Sequence, residues 1–350
     1  MGKRVNVKHM AGLPCRLLIT GLIVISFFSS CTLSDSGMKR SIGTVNELLV
    51  VTNDKGQWEG PLGDSIRAFF SAAQACLPQP EPIFDIVNIA DEHLNDLFKK
   101  YHNIFIVDIN PEASKTISET KEDVWSEPQR IIKIIAPDEE SFYLEFNLKK
   151  GNYLDLFIAL ERERTLTINK MSADMNLSQK VENKFNIFLP FPGGFYQAKE
   201  APDFMWIRHK ITKAKQDVEL SIMIYSMDYN DTIVFNPRHI IQWRNSLTLE
   251  HVPGPSPFSF MMIAMNHIPP IFDTITDFPG GYAVETRGLW EVENDFMGGP
   301  FINYTFVDQA NNKVITLDGY VYNPNDTKKN YVRQLESIFF AAKFTSGINN

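Results

Sequence analysis

The residues best suited to binding a ligand are arginines and carboxylates beside aromatic residues in the second half of the chain. In YAVETRGLWEVEND, Glu285 and Arg287 lie two apart on a predicted strand, so both side chains point to one face. A guanidinium can bind an acidic or sugar-like ligand through two parallel hydrogen bonds. Such segments supply the predicted ligand-binding residues: Trp206, Arg208, Arg244, Arg287, Trp290, Gly298 and Gly299.

Each of these residues also has a purely structural interpretation. The charged side chains could form internal ion pairs, with arginines stacked on tryptophans to hold loops in place. The adjacent amides of Gly298 and Gly299 could form an anion-binding nest, or these glycines could only permit positive φ before a strand. The sequence leaves both alternatives open.

Catalytic chemistry has only weak candidates. Glu285, Glu291 and Asp295 could act as acid and base, with Arg287 as electrophile or anchor, if the carboxylates converge within about 5 to 10 Å. The sequence has no GxSxG elbow, the histidines lack metal-ligand spacing, and no GxGxxG or GxxxxGK follows a predicted strand. We therefore expect no metal and no cofactor.

The elements that position these residues change in kind along the chain. Residues 45–180 alternate short β-branched strands with helices, which predicts an α/β layer sandwich. The predicted strands are 47–52, 83–89, 103–109 and 130–136, and the predicted helices are 62–77, 91–102 and a helix capped by Asp138 and interrupted at Gly151.

Residues 181–350 alternate apolar and polar positions, which indicates antiparallel strands. GPFINYTFVD and NKVITLDGYVY predict a hairpin, and a final helix presents Val332, Leu335, Phe339 and Ala342 on one side. The predicted fold class is therefore α+β, with an N-terminal α/β layer sandwich and a C-terminal antiparallel sheet covered by helices.

The amino terminus has the pattern of a bacterial lipoprotein signal. Lys3, Arg4, Lys8 and Arg16 precede the apolar run 17–28, which is too short for a membrane span of about 20 residues. Residues 28–31 (Phe-Ser-Ser-Cys) resemble a lipobox, in which the enzyme cuts before the cysteine after its thiol has been acylated.

This pattern predicts a signal peptide over residues 1–30, fatty acylation of Cys31 and a flexible tether over residues 31–44. Two or three acyl chains hold a protein durably on a membrane. The expected location is the cell envelope, with the outer membrane as destination, and the alternative is a plain secreted protein. If Cys31 is acylated and Cys15 removed, only Cys76 is left, and the sequence predicts a buried structural thiol there.

The charge of the chain argues against nucleic acid as a partner. It has 34 basic and 42 acidic residues, and cleavage before Cys31 would remove four basic ones, leaving a net charge of −12. Such a surface repels phosphate backbones, and no basic stripe is present. The expected partners are the membrane, through the lipid on Cys31, and an envelope protein or glycan.

Three segments of the second half are distinctive: FLPFPGGFYQAKEAPDFMWIRHK, RGLWEVENDFMGGPFINY and GYVYNPNDTKKNYVRQLESIFF. They resemble segments of a family of envelope lipoproteins, the domain-of-unknown-function family 4837. The lipobox and ERER at residues 161–164 extend this resemblance over nearly the whole mature chain. The family implies location and architecture and supplies no catalytic residues. ERER itself is interpreted as a solvated helix turn, with a domain contact as the alternative.

These observations favour a lipid-anchored binding or assembly module that uses the loops of the second half. The alternative functions are a hydrolase or transferase acting on an envelope polymer, and a purely structural role.

Overall fold

A computed structural model describes residues 37–213, 217–266 and 268–345. The predicted signal peptide, Cys31 and the first part of the tether lie outside the described residues. The helices are α1 (Lys55–Glu59), α2 (Pro61–Phe70), α3 (Glu139–Met171), α4 (Met175–Phe185), α5 (Pro237–His251) and α6 (Lys329–Phe339). The strands are β1 (Glu47–Thr52), β2 (Asp85–Ala90), β3 (Asn103–Ile109), β4 (Ile117–Glu122), β5 (Arg130–Ala136), β6 (Ile187–Phe188), β7 (Phe195–Ala201), β8 (Phe204–Thr212), β9 (Asp217–Asp228), β10 (Met261–Ala264), β11 (Ile271–Phe278), β12 (Gly281–Val292), β13 (Gly298–Asp308), β14 (Lys313–Tyr322) and β15 (Lys343–Phe344).

The first sheet has the order β2-β1-β3-β5-β4, with all strands parallel except the edge strand β4. β1, β3 and β5 have the bounds that the sequence predicts, because near-continuous apolar runs suit strands buried on both faces. One face packs on α2 and α3 through a cluster of phenylalanines. The layered α/β architecture predicted for this half is confirmed.

The other face of this sheet has a thinner cover than the sequence predicts. The prediction of a helix over residues 91–102 is wrong. Two 3₁₀ turns, Asp91–His93 and Phe98–Lys100, occupy this segment. The side chain of Asn95 accepts hydrogen bonds from the amides of Leu97 and Phe98, which competes with a continuous helix.

Two further helix predictions need correction. Gly151 does not interrupt α3, which runs through it, because a single glycine costs only about 1 kcal/mol in a long, well-packed helix. The helix predicted to reach Leu77 ends at Phe70, and Cys76 has a φ of 58° in the following loop. The Cys76 thiol is nevertheless buried, and burial raises its pKa.

The second sheet is antiparallel and has the order β10-β12-β13-β14-β9-β8-β7, with β11 also paired to β12. The predicted hairpin is β13–β14, and the predicted terminal helix is α6. α4 and α6 pack on one face, and α5 packs on the opposite face. The predicted antiparallel sheet covered by helices is therefore confirmed.

The interpretation of residues 161–164 as a solvated helix turn is wrong. Glu161 is fully buried in α3, where its carboxylate contacts the ring of His102 and accepts a hydrogen bond from Asn103 at 2.7 Å. Arg162 lies over the ring of Phe340, 3.7 Å from its centroid. This turn thus joins the first sheet to the carboxyl-terminal elements.

None of the helices in the described part of the chain is long and apolar enough to span a membrane.

Candidate ligand-binding cleft

A cleft of about 220 Å³ lies on the α5 face of the second sheet. Its floor comes from alternate positions of β8, β9, β12 and β14, because side chains two residues apart share a face. Its wall comes from the loop after α5. The lining residues are Trp206, Arg208, Glu219, Val252, Pro253, Gly254, Pro255, Met261, Trp290, Val292, Met297, Tyr320 and Tyr322.

Three of the predicted ligand-binding residues meet in this cleft: Trp206, Arg208 and Trp290. The guanidinium of Arg208 lies 4.6 Å from the centroid of the Trp206 ring. It also binds both carboxylate oxygens of Glu219, with 2.8 Å between Nε and Oε1. The cleft therefore combines aromatic faces with one oriented ion pair.

Gly298 and Gly299 support the cleft through packing. Both lie within β13, opposite Glu291 and Trp290, so they form no anion-binding nest. A Cβ on Gly299 would lie 2.1 Å from the carbonyl oxygen of Val321 and 3.1 Å from the indole nitrogen of Trp290. Glycine is needed there because the strands and the indole approach closely, and neither glycine has positive φ.

Tyr320 closes the floor of the cleft between the two tryptophans. Its ring meets Trp290 edge to face, with 5.2 Å between centroids. Burial raises the pKa of the Tyr320 hydroxyl, and the nearby carboxylate of Glu219 raises it further. Tyr320 is therefore a neutral hydroxyl that can donate or accept a hydrogen bond at neutral pH.

Arg287 does not join the cleft, although the sequence groups it with Trp290. The two residues are three positions apart on β12, so they lie on opposite faces of the sheet. Arg287 binds Glu285 and Glu336, each at 2.6 Å, on the face covered by α6. The observed contacts of Arg287 agree with its structural interpretation, an internal ion-pair network.

Arg244 is fully buried beneath the cleft and cannot contact a ligand from solvent. Its Nε donates to Asp318 at 2.8 Å, and its guanidinium lies 4.2 Å from the ring centroid of Phe301. This pair fastens α5 to the sheet, because Arg244 belongs to α5 and Asp318 to β14. Arg244 therefore positions the wall of the cleft.

The candidate carboxylates Glu285 and Glu291 do not converge. Glu285 is held by Arg287 and by the hydroxyl of Tyr304 at 2.7 Å. Glu291 is six residues further along β12, about 20 Å at the usual rise of a strand, which exceeds the spacing of paired catalytic carboxylates. Asp295 lies in the following turn and accepts from Ser256 at 2.8 Å.

The described residues also contain no group of three or more histidine, cysteine, aspartate or glutamate side chains able to hold a metal ion.

Several lining residues were missed by sequence reasoning. Glu219 lies on β9 beside β8, and Tyr320 and Tyr322 lie on β14, which pairs with β9 although the two strands are far apart in sequence. The loop Pro253–Pro255 was not among the predicted ligand-binding residues. One pattern places Glu219 near Arg208. Glu219 and Ser221 lie two apart on β9 and therefore share a face, and Ser221 pairs with Arg208 of β8.

Two almost fully exposed phenylalanines lie on the loops beside the cleft. Phe258 and Phe296 are 94% and 107% exposed, and each follows a segment that lines or borders the wall. The two loops are joined by the Ser256–Asp295 hydrogen bond and by the bond from the Glu293 amide to the Phe260 carbonyl. The rim of the cleft thus carries exposed aromatic rings.

Two family models match the chain. Domain of unknown function (DUF4837) matches residues 174–341, and Domain of unknown function (DUF8532) matches residues 41–170. The cleft lies within the first match. The expectation that the first family extends over nearly the whole mature chain is wrong, because ERER falls in the range of the second family. No curated protein matches the chain.

Solved structures are similar only distantly. A mutant of the protein Mog1 has 9% identity and a TM-score of 0.31, covering 46% of this chain and 92% of its own. LpqN, involved in cell envelope biogenesis of Mycobacterium tuberculosis, has 13% identity and a TM-score of 0.27, covering 45% and 82%. The lipid transfer and protein localization domain of human StarD13 has 12% identity and a TM-score of 0.22, covering 47% and 94%.

Proposed function

We propose that this member of the family Domain of unknown function (DUF4837), which matches residues 174–341, is a lipid-anchored binding module of the bacterial cell envelope. Its aromatic cleft binds one ring of a glycan. The observation that carries the proposal is the cleft itself: two tryptophans, two tyrosines and the Arg208–Glu219 pair around about 220 Å³.

The chemistry of the cleft suits a sugar ring. The C–H face of a sugar packs on the apolar face of an indole or phenol ring, while its hydroxyls need donors and acceptors. Arg208 supplies donors, Glu219 supplies acceptors, and Tyr320 supplies a neutral hydroxyl. A cleft with this composition binds a neutral or weakly acidic sugar better than a purely apolar molecule, because the latter would leave the ion pair desolvated.

The size of the cleft restricts the ligand to a single ring at this point. Sites for drug-sized molecules usually enclose about 300 to 1,000 Å³, and this cleft is smaller, at about 220 Å³. The exposed rings of Phe258 and Phe296 lie on the adjoining loops. We infer that neighbouring units of a longer glycan chain contact these rings.

The anchor in this proposal is the acylated thiol of Cys31. Its support is the basic segment, the short apolar run and the lipobox-like residues 28–31. In a bacterial host, we expect Cys31→Ser to abolish incorporation of labelled palmitate and to release the protein from the membrane fraction. Unchanged detergent partitioning of mature-sized Cys31→Ser protein would contradict the anchor.

The binding role is tested by measuring the affinity of the purified protein for a panel of envelope mono- and oligosaccharides. We expect at least one saccharide to bind saturably, and Trp206→Leu to lower its affinity at least tenfold, because the stacking face is lost. Trp243→Leu is the matched control, since Trp243 lies in α5 against Tyr225 outside the lining of the cleft. Equal affinities of the two variants would contradict the proposal.

The contribution of the rim to binding is tested by comparing the affinities for saccharides of different lengths. We expect the double variant Phe258→Ser with Phe296→Ser to bind a monosaccharide as the wild type does, and to lose the added affinity for a tetrasaccharide. Both side chains are almost fully exposed, so these changes should leave the fold intact. Cleavage of the oligosaccharide during the assay would instead support the hydrolase alternative.

A further inference from the structure

A second cavity lies in the part of the chain that matches DUF8532. It encloses about 310 Å³ near the carboxyl ends of β1 and β3. Its floor is apolar and includes Val51, Ile106 and Ile131, one residue from each of three neighbouring strands. None of its residues belongs to the aromatic cleft, so this is a separate site.

The topology of the sheet makes this position favourable for a ligand. From β1 the chain passes to β2 on one side, and then crosses back to β3 on the other side of β1. The connections that leave the carboxyl ends of β1 and β3 therefore run in opposite directions. In open α/β sheets, ligands bind in the crevice that opens at such a switch point.

Within the described residues, no α-helix covers this face of the sheet at the cavity. The 3₁₀ turn Asp91–His93 and the following Leu94 form one wall, and Val124 and Trp125 form the other. A continuous helix over residues 91–102 would have packed its apolar side on the strands. The two short turns leave part of the apolar sheet face open between the walls.

The charges around the cavity leave one carboxylate unbalanced. Lys133 pairs with Asp108 at 2.8 Å, and Lys121 pairs with Glu119 at 2.8 Å. Asp91 lines the cavity, and within the described ranges its carboxylate has no ion pair. A ligand that enters the cavity therefore meets an apolar floor and a single uncompensated negative charge at its edge.

We infer that this cavity binds a small amine that carries an apolar ring. The ring fills the space over Val51 and Ile106 beside Trp125, and the ammonium group pairs with Asp91. The apolar floor supplies most of the affinity, while the carboxylate selects the charge of the ligand. An anionic compound with the same ring is disfavoured because the two lysines that line the cavity, Lys121 and Lys133, already pair with carboxylates.

The experiment is isothermal titration of the purified protein with phenethylamine and tryptamine. We expect at least one of these amines to bind saturably at one site. Methylamine, which lacks the ring, and 3-phenylpropionate, which has the opposite charge, should show no saturable binding. Failure of both ring-bearing amines to bind would overturn the inference.

Variants test which part of the molecule binds the amine. Asp91→Asn should weaken amine binding about fivefold, the effect of an exposed ion pair of about 1 kcal/mol. The matched control is Glu112→Gln, because Glu112 follows β3, is exposed and does not line the cavity. Trp206→Leu should also leave amine binding unchanged. Loss of binding in Trp206→Leu, or full affinity in Asp91→Asn, would refute this site.

Discussion

At the scale of single residues, Glu336 is the shared counterion of two arginines in the second half of the chain. Its carboxylate accepts hydrogen bonds from Arg287 and from Arg333. Burial alone would raise the pKa of Glu336, but the guanidinium groups of Arg333 and Arg287 outweigh it and lower the pKa to about 2. The folded protein is therefore stabilised by the ionised form.

Glu336→Gln should lower the free energy of unfolding at pH 7 by about 3 kcal/mol, because two buried guanidinium groups lose their shared counterion. A lowered pKa stabilises the fold above the ordinary pKa of 4.5, and the stabilisation is lost as the pH falls toward 2. In urea titrations the difference between wild type and variant should therefore shrink between pH 5 and pH 2. A constant difference over this range would contradict the assignment.

Part of the cleft could be predicted from the sequence. Trp206 and Arg208 share a strand and a parity, so their proximity follows from the period of a β-strand. The same parity argument separates Arg287 from Trp290, and grouping them by sequence distance alone was the error. Glu219 lies on β9, the strand after β8, and its place beside Arg208 depends on the register of that pair. Tyr320 could not be predicted, because its place depends on the pairing of β14 with β9, which is distant in sequence.

At the scale of elements, close approach between β13 and β14 requires glycine at position 299. Gly299→Ala should lower the free energy of unfolding by about 1 to 3 kcal/mol, because the added Cβ meets the backbone of Val321. Gly151→Ala is the control: nothing lies within 4 Å of its added Cβ, and alanine favours the interior of α3. That variant should gain about 0.5 to 1 kcal/mol. The free energies of unfolding are measured by chemical denaturation. An unchanged stability of Gly299→Ala would refute the packing argument.

The start of α6 depends on a side chain from the other half of the chain. The carboxylate of Glu81 accepts from the amides of Lys328 and Lys329 at 2.9 Å and is buried. Glu81→Ala should cost about 2 kcal/mol, because two buried amides lose their acceptor. Glu59→Ala, which removes an exposed pair with Lys55, should cost less than about 0.5 kcal/mol. Similar losses of stability in the two variants would argue against the cap.

Regular elements were more predictable than their interruptions. The bounds of β1, β3 and β5 follow from apolar runs that suit only buried strands. The failure at residues 91–102 has a local cause, the turn formed by Asn95, which an apolar periodicity of Leu94, Leu97 and Phe98 conceals. The two short turns that replace the predicted helix leave the second cavity open.

At the scale of the whole molecule, the two family ranges meet in one compact unit of the described structure, which begins at Met38. Side chains of the first range bond directly to α6: Asn46 to Asn330 at 2.8 Å, and Asp85 to Lys329 at 2.7 Å. Both contacts are partly buried, and Leu77 of the first range packs in the core cluster of the second sheet, so separation of the halves would break these bonds and expose apolar surface.

We therefore expect one cooperative unfolding transition in differential scanning calorimetry, with equal calorimetric and van't Hoff enthalpies. The same midpoint should be observed by tryptophan fluorescence and by far-ultraviolet circular dichroism. Two resolved transitions would contradict this coupling and would indicate that the two family ranges fold independently.

The tryptophan side chains give the most direct test of whether the aromatic cleft is the site at which this protein binds a glycan. The chain has five tryptophans, so a nitrogen-15 correlation spectrum contains five indole N–H signals. Titration with a bound saccharide should shift the signals of Trp206 and Trp290 and leave those of Trp58 and Trp125 unchanged. Saturable binding that moves Trp125 or Trp58 while Trp206 and Trp290 stay in place would contradict the account.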